Sequence, residues 1–347
     1  MNAEDALPAV LAHYGIPLLD PLRLTGGLIN STWRLSDPQG PAFVLQRLHP
    51  SFPGDVNLNF ACVTEYLAAR GHLVPRLVAT RSAEWWVEHD GGIWRLMTFV
   101  DGISHATLPD LAHARTAGAM LGGFHAALRE FEGPLPYQRP PVHEPARHRA
   151  FLLETLARQS DHPLHATVKA LAEAVLSALA REAELPAMPP RHLHGDPKLS
   201  NLLFGRDGSP RCLVDLDTLT SAALPFELGD ALRSWCNRQA EDAASAEFDL
   251  DIFAAALAGY AEAAEGFLLP EEKSAVVSAT VTIQLELAMR FAADALNESY
   301  FGWDPARFAS RGEHNLLRAR NQLACARLLS TRRAEAEQTV TRIFQHP

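Results

Sequence analysis

Between residues 192 and 217 the chain reads His192-Leu-His194-Gly195-Asp196-Pro-Lys198-Leu-Ser-Asn201 and, after a turn at 205–210, Cys212-Leu-Val-Asp215-Leu-Asp217. An Asp two residues before a Lys and five before an Asn fits a loop on which the three side chains converge. The β-rich run after the turn delivers Asp215 to the same place from the next strand. A base, a cation and metal-ligating oxygens around one point can hold a substrate hydroxyl, a terminal phosphate and Mg²⁺ together. Phosphoryl transfer needs that, because its catalysis is mainly positioning and charge neutralisation. The competing reading takes His192 and His194 as a zinc pair and Asp215 with Asp217 as a solvated turn. Zinc wants three or four ligands, and no other Cys or His stands at ligand spacing nearby.

The periodicity upstream of this segment differs from that downstream. Up to residue 98 the pattern is strand, strand, strand, helix, strand, strand: residues 22–35 with a glycine pair inside, 43–48, a helix from Asn57 to Arg70 closed by Gly71, and a hairpin over 85–99 around Asp90-Gly91. From Thr98 the period becomes helical. Leu121, Phe124, Leu128 and Phe131 put an apolar face on a helix over 112–131, and helices follow at 148–159 and 164–182. The Ala-rich run 254–264 reads as a short, uncapped core helix.

At 347 residues the length suggests about two domains or lobes. A net charge of −10 with no basic run argues against nucleic acid or an anionic membrane surface as partner, leaving ATP possible because local cations and Mg²⁺ can neutralise it. No apolar run reads as a spanning helix and the start lacks a basic leader, so the expectation is a cytoplasmic protein, monomeric or homodimeric. The four cysteines form no CxxC and read as buried free thiols.

The combination of His-Gly-Asp-x-Lys-x-x-Asn with the later Asp215 resembles the aminoglycoside phosphotransferase and choline kinase superfamily. The resemblance implies an α+β, two-lobed protein-kinase-like fold: a small antiparallel-sheet lobe with one helix over 1–98 that binds nucleotide, a hinge at 99–102, and a larger, mainly helical lobe over 103–347. It also implies ATP and Mg²⁺ as cofactors, Asp196 as catalytic base, Asn201 and Asp215 as metal ligands, and Lys198 at the transferring phosphate.

The other parts of such a site follow by position. Gly26-Gly27 followed by Asn30 reads as a phosphate-covering loop, since glycine lets backbone N–H groups approach phosphate oxygens. The small lobe should supply a cation for the phosphates with a helix carboxylate beside it; Glu65 fits the second. Gln46 and Arg47 alternate along a strand, and Arg47 is chosen for its planar fork. Met97 and Phe99 belong to the segment expected at the adenine edge. Asp217 shares a strand face with Asp215, to reach metal or substrate or else to cap the next turn, and Asp230 is read as a brace near the catalytic loop backbone.

Within the superfamily, residues 27–47, 214–233 and the C-terminal Met289-Arg290-Phe291, Tyr300-Phe301 and His314-Asn315 segments resemble the N-acetylhexosamine 1-kinase branch, with Gly195 departing from its Asn. That resemblance implies transfer to the anomeric hydroxyl of a sugar, with Arg290, Tyr300 and His314 at the substrate. Alternatives are a kinase of an amino alcohol such as homoserine or choline, an aminoglycoside kinase, or a nucleotide-binding regulator without turnover.

Overall fold

The computed structural model describes residues 3–24 and 30–345. The chain forms two compact units: Met1–Gly102 with Phe131–Arg139 and Val214–Leu219, and Ile103–Glu130 with Pro140–Leu213 and Thr220–Pro347.

Unit 1 begins with a helix the sequence reading passed over, α1 (Leu7–Tyr14), which has Pro8 in its first turn and ends on the left-handed Gly15. Five antiparallel strands follow: β1 (Asp20–Leu24), β2 (Ser31–Asp37), β3 (Gly40–Arg47), β4 (Val87–His89) and β5 (Gly92–Thr98), in the order β1-β2-β3-β5-β4. Asp37 accepts the N–H groups of Gln39 and Gly40 at the β2–β3 turn, while Asp90 and Gly91 both take positive φ at the β4–β5 turn. One sheet face is apolar. Trp33, Leu35, Leu45, Trp94 and Leu96 form a core with Leu7, Val10 and Leu11 of α1, and the Trp33 and Trp94 rings stack at 5.6 Å. α2 (Val56–Ala69) turns Asn57 and Phe60 toward Arg95 of β5.

Unit 2 is mainly helical: α3 (Leu111–Ala127), α4 (Pro145–Arg158), α5 (His165–Leu179), then short strands β6 (Pro190–Leu193), β7 (Leu202–Phe204), β8 (Pro210–Leu213) and β9 (Thr220–Ala223), and finally α6 (Leu224–Trp235), α7 (Leu250–Ala263), α8 (Pro270–Asn297), α9 (Arg311–Thr331) and α10 (Arg333–Gln345). β6 pairs with β9 and β7 with β8. α3 and α7 cross at glycines. A Cβ on Gly118 would stand 1.8 Å from the Ala256 carbonyl oxygen, and one on Gly259 would stand 2.0 Å from that of Arg115.

Three sequence expectations change here. α3 stops at Ala127, so Phe131 leaves the helix and packs edge-on to Tyr66 in unit 1. The Ala-rich helix α7 is capped, because the Asp249 carboxylate accepts the N–H groups of Asp251 and Ile252. α8 is long and apolar enough to cross a membrane by length and composition, yet 89% of its apolar window is buried, as in a core helix. The cysteines are free, with Cys212, Cys236 and Cys325 buried, and burial pushes the Cys212 and Cys325 thiols up to about 12.

Candidate active site

In unit 2 the chain leaves β6 at Leu193 and turns sharply at Gly195, whose φ of 85° is left-handed. Glycine and asparagine are the residues that tolerate this region best; the departure from Asn at this position therefore leaves the turn intact. Two backbone donors of the turn are held by one buried carboxylate. Glu227 of α6 accepts His194 N–H on Oε1 and Gly195 N–H on Oε2, both at 2.8 Å. His125 of α3 stands 3.1 Å from the same Oε1, and its other ring nitrogen meets the Tyr260 hydroxyl at 2.9 Å. The brace is thus Glu227. Asp230, expected in that role, turns instead to Arg233.

α6 also fixes the far side of the loop, since Ser234 Oγ accepts Leu199 N–H and Trp235 Nε1 donates to Pro197 O. On this frame Lys198 forms an ion pair with Asp196. Asn201 Nδ2 donates to the Asp196 carbonyl at 2.9 Å and lies 3.4 Å from Asp196 Oδ2. Asp196 and Lys198 remain partly exposed, with 23% and 29% of their side-chain surfaces open. Unit 2 therefore brings Asp196, Lys198 and Asn201 together as the spacing predicts.

Asp215 belongs to unit 1 and follows β8 by two residues with φ 64° and ψ 54°, a conformation uncommon for a residue with a side chain. Leu216–Thr218 is a 3₁₀ turn, so Asp215 and Asp217 do not share a strand face. Asp217 is spoken for: it is 3% exposed, ion-paired with the fully buried Arg95, and accepts Asn30 Nδ2 on Oδ2 at 2.8 Å, while its carbonyl accepts Arg139. Arg95 further donates to Gln46 Oε1 and to Asn57 Oδ1. Asp217 thus anchors the turn that bears Asp215, with Oδ1 on the Arg95 ion pair and Oδ2 on Asn30.

The expected pairing of Arg47 with Glu65 does not form. Strand alternation puts Gln46 on the face with Arg95 and turns Arg47 to the other, 5.8 Å over the Trp94 ring. Glu65 is exposed on α2 and has no ion-pair partner among the described residues, because the inward face of that helix carries Asn57 and Phe60. Arg47 lines a cavity of about 510 Å³ with Ser31, His49, Phe52 and Gly92. Met97 is buried opposite Val44, and Phe99 N–H donates to Ala42 O. Gly26 and Gly27 lie outside the described residues.

In the C-terminal part of unit 2, Asp294 accepts the N–H groups of Ser299, Tyr300 and Phe301 and the Asn315 amide, fixing the loop after α8. Arg290 is half-buried over the Phe301 ring at 5.6 Å and, among the described residues, forms no ion pair. His314, expected at the substrate, is 2% exposed and acts as a loop brace. It accepts Asp304 N–H at 3.2 Å, meets Asp242 at 3.2 Å and stacks on Phe308. Burial and the nearby Arg318 push its imidazole below the ordinary value.

Arg95, Glu227 and Asn57 escaped the sequence reading. A signal existed for the first, a charged residue inside the apolar run Ile93-Trp-Arg95-Leu-Met97, and for the second, a carboxylate one turn into α6.

The donor chemistry fits Mg²⁺. Asn201 directs its amide nitrogen to Asp196 O, leaving the amide oxygen without a hydrogen bond among the described residues. An amide oxygen is a hard donor, and Mg²⁺ would take such oxygens as ligands.

Fold and loop define an ATP-dependent small-molecule kinase with a protein-kinase-like architecture, an enzyme that phosphorylates hydroxyl groups. Residues 21–265, more than half the chain, match the phosphotransferase enzyme family, and the chain belongs to it. ATP with a divalent metal is the cofactor pair of that family. A homoserine kinase of Pseudomonas aeruginosa (strain UCBPP-PA14) is 28% identical over 313 residues, 89% of this chain and 93% of that protein. One from Methylobacterium sp. (strain 4-46) is 29% identical over 244 residues, covering 67% and 70%. Among solved structures, a microcompartment-associated aminopropanol kinase superposes with a TM-score of 0.65 at 17% identity over 96% of this chain and 98% of its own. The amicoumacin kinase hAmiN in complex with AMP-PNP and Ca²⁺ gives 0.63 at 16% identity, over 93% of each chain. These structural likenesses carry the fold alone. The expected N-acetylhexosamine 1-kinase branch finds no support among these proteins; the sequence relatives are homoserine kinases.

Proposed function

We propose that this kinase phosphorylates the hydroxyl of a small amino alcohol of the homoserine type. One observation carries the reading: the Pseudomonas aeruginosa homoserine kinase matches nearly end to end, at 89% and 93% coverage. It replaces the sugar acceptor expected from the segment resemblances.

Asp196 takes up or orients the acceptor hydroxyl proton, which its partly open carboxylate permits. Lys198 neutralises charge on the transferring group, and the proposed metal ligands, each taken by itself, would be the Asn201 amide oxygen and the Asp215 carboxylate. When bound, Mg²⁺ supplies charge neutralisation at the phosphates. Arg47, which lines the cavity with Ser31 and His49, is the phosphate-binding candidate of unit 1. Met97 and Phe99 border the adenine, while Arg290 and Tyr300 face the acceptor. The same reading takes 1–98 as the nucleotide lobe, 99–102 as hinge and 103–347 as the catalytic lobe of a cytoplasmic monomer or homodimer, with no nucleic-acid or membrane partner.

The test incubates the purified chain with ATP, Mg²⁺ and a mixed library of amino alcohols and free sugars, followed by mass spectrometry. The expected product is a phosphorylated amino alcohol. A sugar phosphate as the main product, or no phosphorylated acceptor at all, overturns the reading.

A further inference from the structure

Beside the catalytic loop, three buried side chains from three segments of unit 2 form a cluster that the phosphoryl-transfer machinery does not use. His143 comes from the Pro-rich loop before α4, Asp230 from α6 and Glu286 from α8. His143 Nδ1 lies 2.9 Å from Glu286 Oε1, and its Nε2 lies 3.8 Å from Asp230 Oδ1, too far for a hydrogen bond. Side-chain exposures are 8% for His143, 1% for Asp230 and 0% for Glu286. Each of the three nevertheless leaves one buried atom without a hydrogen-bond partner: His143 Nε2, Asp230 Oδ2 and Glu286 Oε2. Buried polar atoms are nearly always satisfied, and leaving a carboxylate oxygen dry and unpaired is costly.

The chemistry of the three atoms is uniform when His143 is neutral with its proton on Nδ1, donating to Glu286. Nε2 then presents a lone pair, and the two carboxylate oxygens are acceptors by nature. A primary ammonium carries three N–H donors and no acceptor, matching such a set in number and sign. No group of three His, Cys, Asp or Glu among the described residues is arranged to hold a metal ion, which argues against a cation of that kind here. The place is right for an acceptor. Asp230 lies on the helix whose Glu227, Ser234 and Trp235 hold the Asp196 loop, and Asp196 acts electrostatically on Arg233, the ion-pair partner of Asp230.

Resting on the amino-alcohol reading, we propose that Glu286, Asp230 and His143 form the subsite for the acceptor's primary ammonium, selecting amino alcohols over neutral alcohols and sugars. In the free enzyme His143 is a cation. Burial alone would lower its imidazole, but Asp230 and Glu286 outweigh burial and raise it to about 9. Other charges around it are Arg233 on α6, Arg290 on α8 and His148 on α4, where burial lowers the His148 imidazole. An incoming ammonium displaces the His143 proton to solvent, so acceptor binding releases up to one proton and the site keeps its charge.

The experiment compares KM for acceptor and for ATP in the full chain, wild type against Glu286→Gln and His143→Gln, with 3-aminopropanol-type and homoserine-type acceptors and their N-acetyl derivatives. Glu286→Gln, nearly the same shape, should raise the acceptor KM about tenfold or more, as expected for a lost charge-assisted hydrogen bond, with the ATP KM within about twofold. N-acetylation of the acceptor should cost wild type a similar factor and the variant little. If a variant melts early, the N-acetyl comparison in wild type still decides. Turnover of free and N-acetylated amines with equal KM, or an unchanged acceptor KM in soluble Glu286→Gln, overturns the subsite while leaving the kinase reading standing. Failure to phosphorylate any amino alcohol overturns both.

Discussion

Two carboxylates of the same chemical type, Asp196 in unit 2 and Asp217 in unit 1, have opposite surroundings. Asp196 stays partly open, its loop is fixed through backbone groups by Glu227 and Trp235, and its carboxylate meets only the neighbouring Lys198 and Asn201 of the same loop. Asp217 is closed in and fixed through its own side chain by Arg95 and Asn30. Motif spacing makes both look like site residues. The difference teaches that equal motif spacing can place one carboxylate on a loop held by others and partly open to solvent, and another in the interior as the tie itself.

Breaking the comparison at Asp196 should have the largest effect. Asp196→Asn removes the proposed base without disturbing Glu227, so kcat should fall by roughly 10²–10⁴-fold with an unchanged melting temperature. An Asn variant that turns over normally would end the assignment. At the other pole, Arg95→Met leaves Asp217 buried and uncompensated, and unfolding titrations should show a loss of about 3–5 kcal/mol. Adding Asp217→Asn to that variant should recover part of it; a double variant no better than the single would mean the pair is not the anchor.

These two regions were unequally legible. The loop side chains at 196, 198 and 201 are legible as a cluster because short spacing on a tight loop leaves few ways to diverge. The strands at 43–48 and 85–99 and the helix at 57–70 were legible from alternation, turn residues and a closing glycine. The less legible parts depend on register or on partners distant in sequence. Gln46 and Arg47 differ by a single step of alternation, and the apolar side of β3 is set by α1, whose eight residues gave too short a pattern. The Arg95–Asp217 pair joins residues 122 positions apart, and nothing local in Asp-Leu-Asp distinguishes the residue that anchors from the one left half-buried. Glu65 was chosen for its charge, while the helix turns neutral Asn57 to the cation.

The smallest expected effect sharpens the contrast between charges held open and charges held closed. His143 is raised from 6.5 to about 9 in the folded chain, so between those values the native state binds more protons than the unfolded one. Its contribution is complete below about pH 6.5 and disappears as pH rises toward 9. Melting temperature followed over this window should decline by an amount equivalent to at most about 3 kcal/mol, with the His143→Gln chain showing a flatter profile. Equal slopes for the two chains would exclude His143 as the source.

The apolar helix Pro270–Asn297 has a consequence for biosynthesis. Its partners include α9, which begins only at Arg311, so a nascent chain that has just completed α8 carries a 28-residue oily rod lacking part of its cover. The cover is completed only by α9 and α10, which both pack on it and come last in the chain, so burial of this helix waits on the final elements to be made.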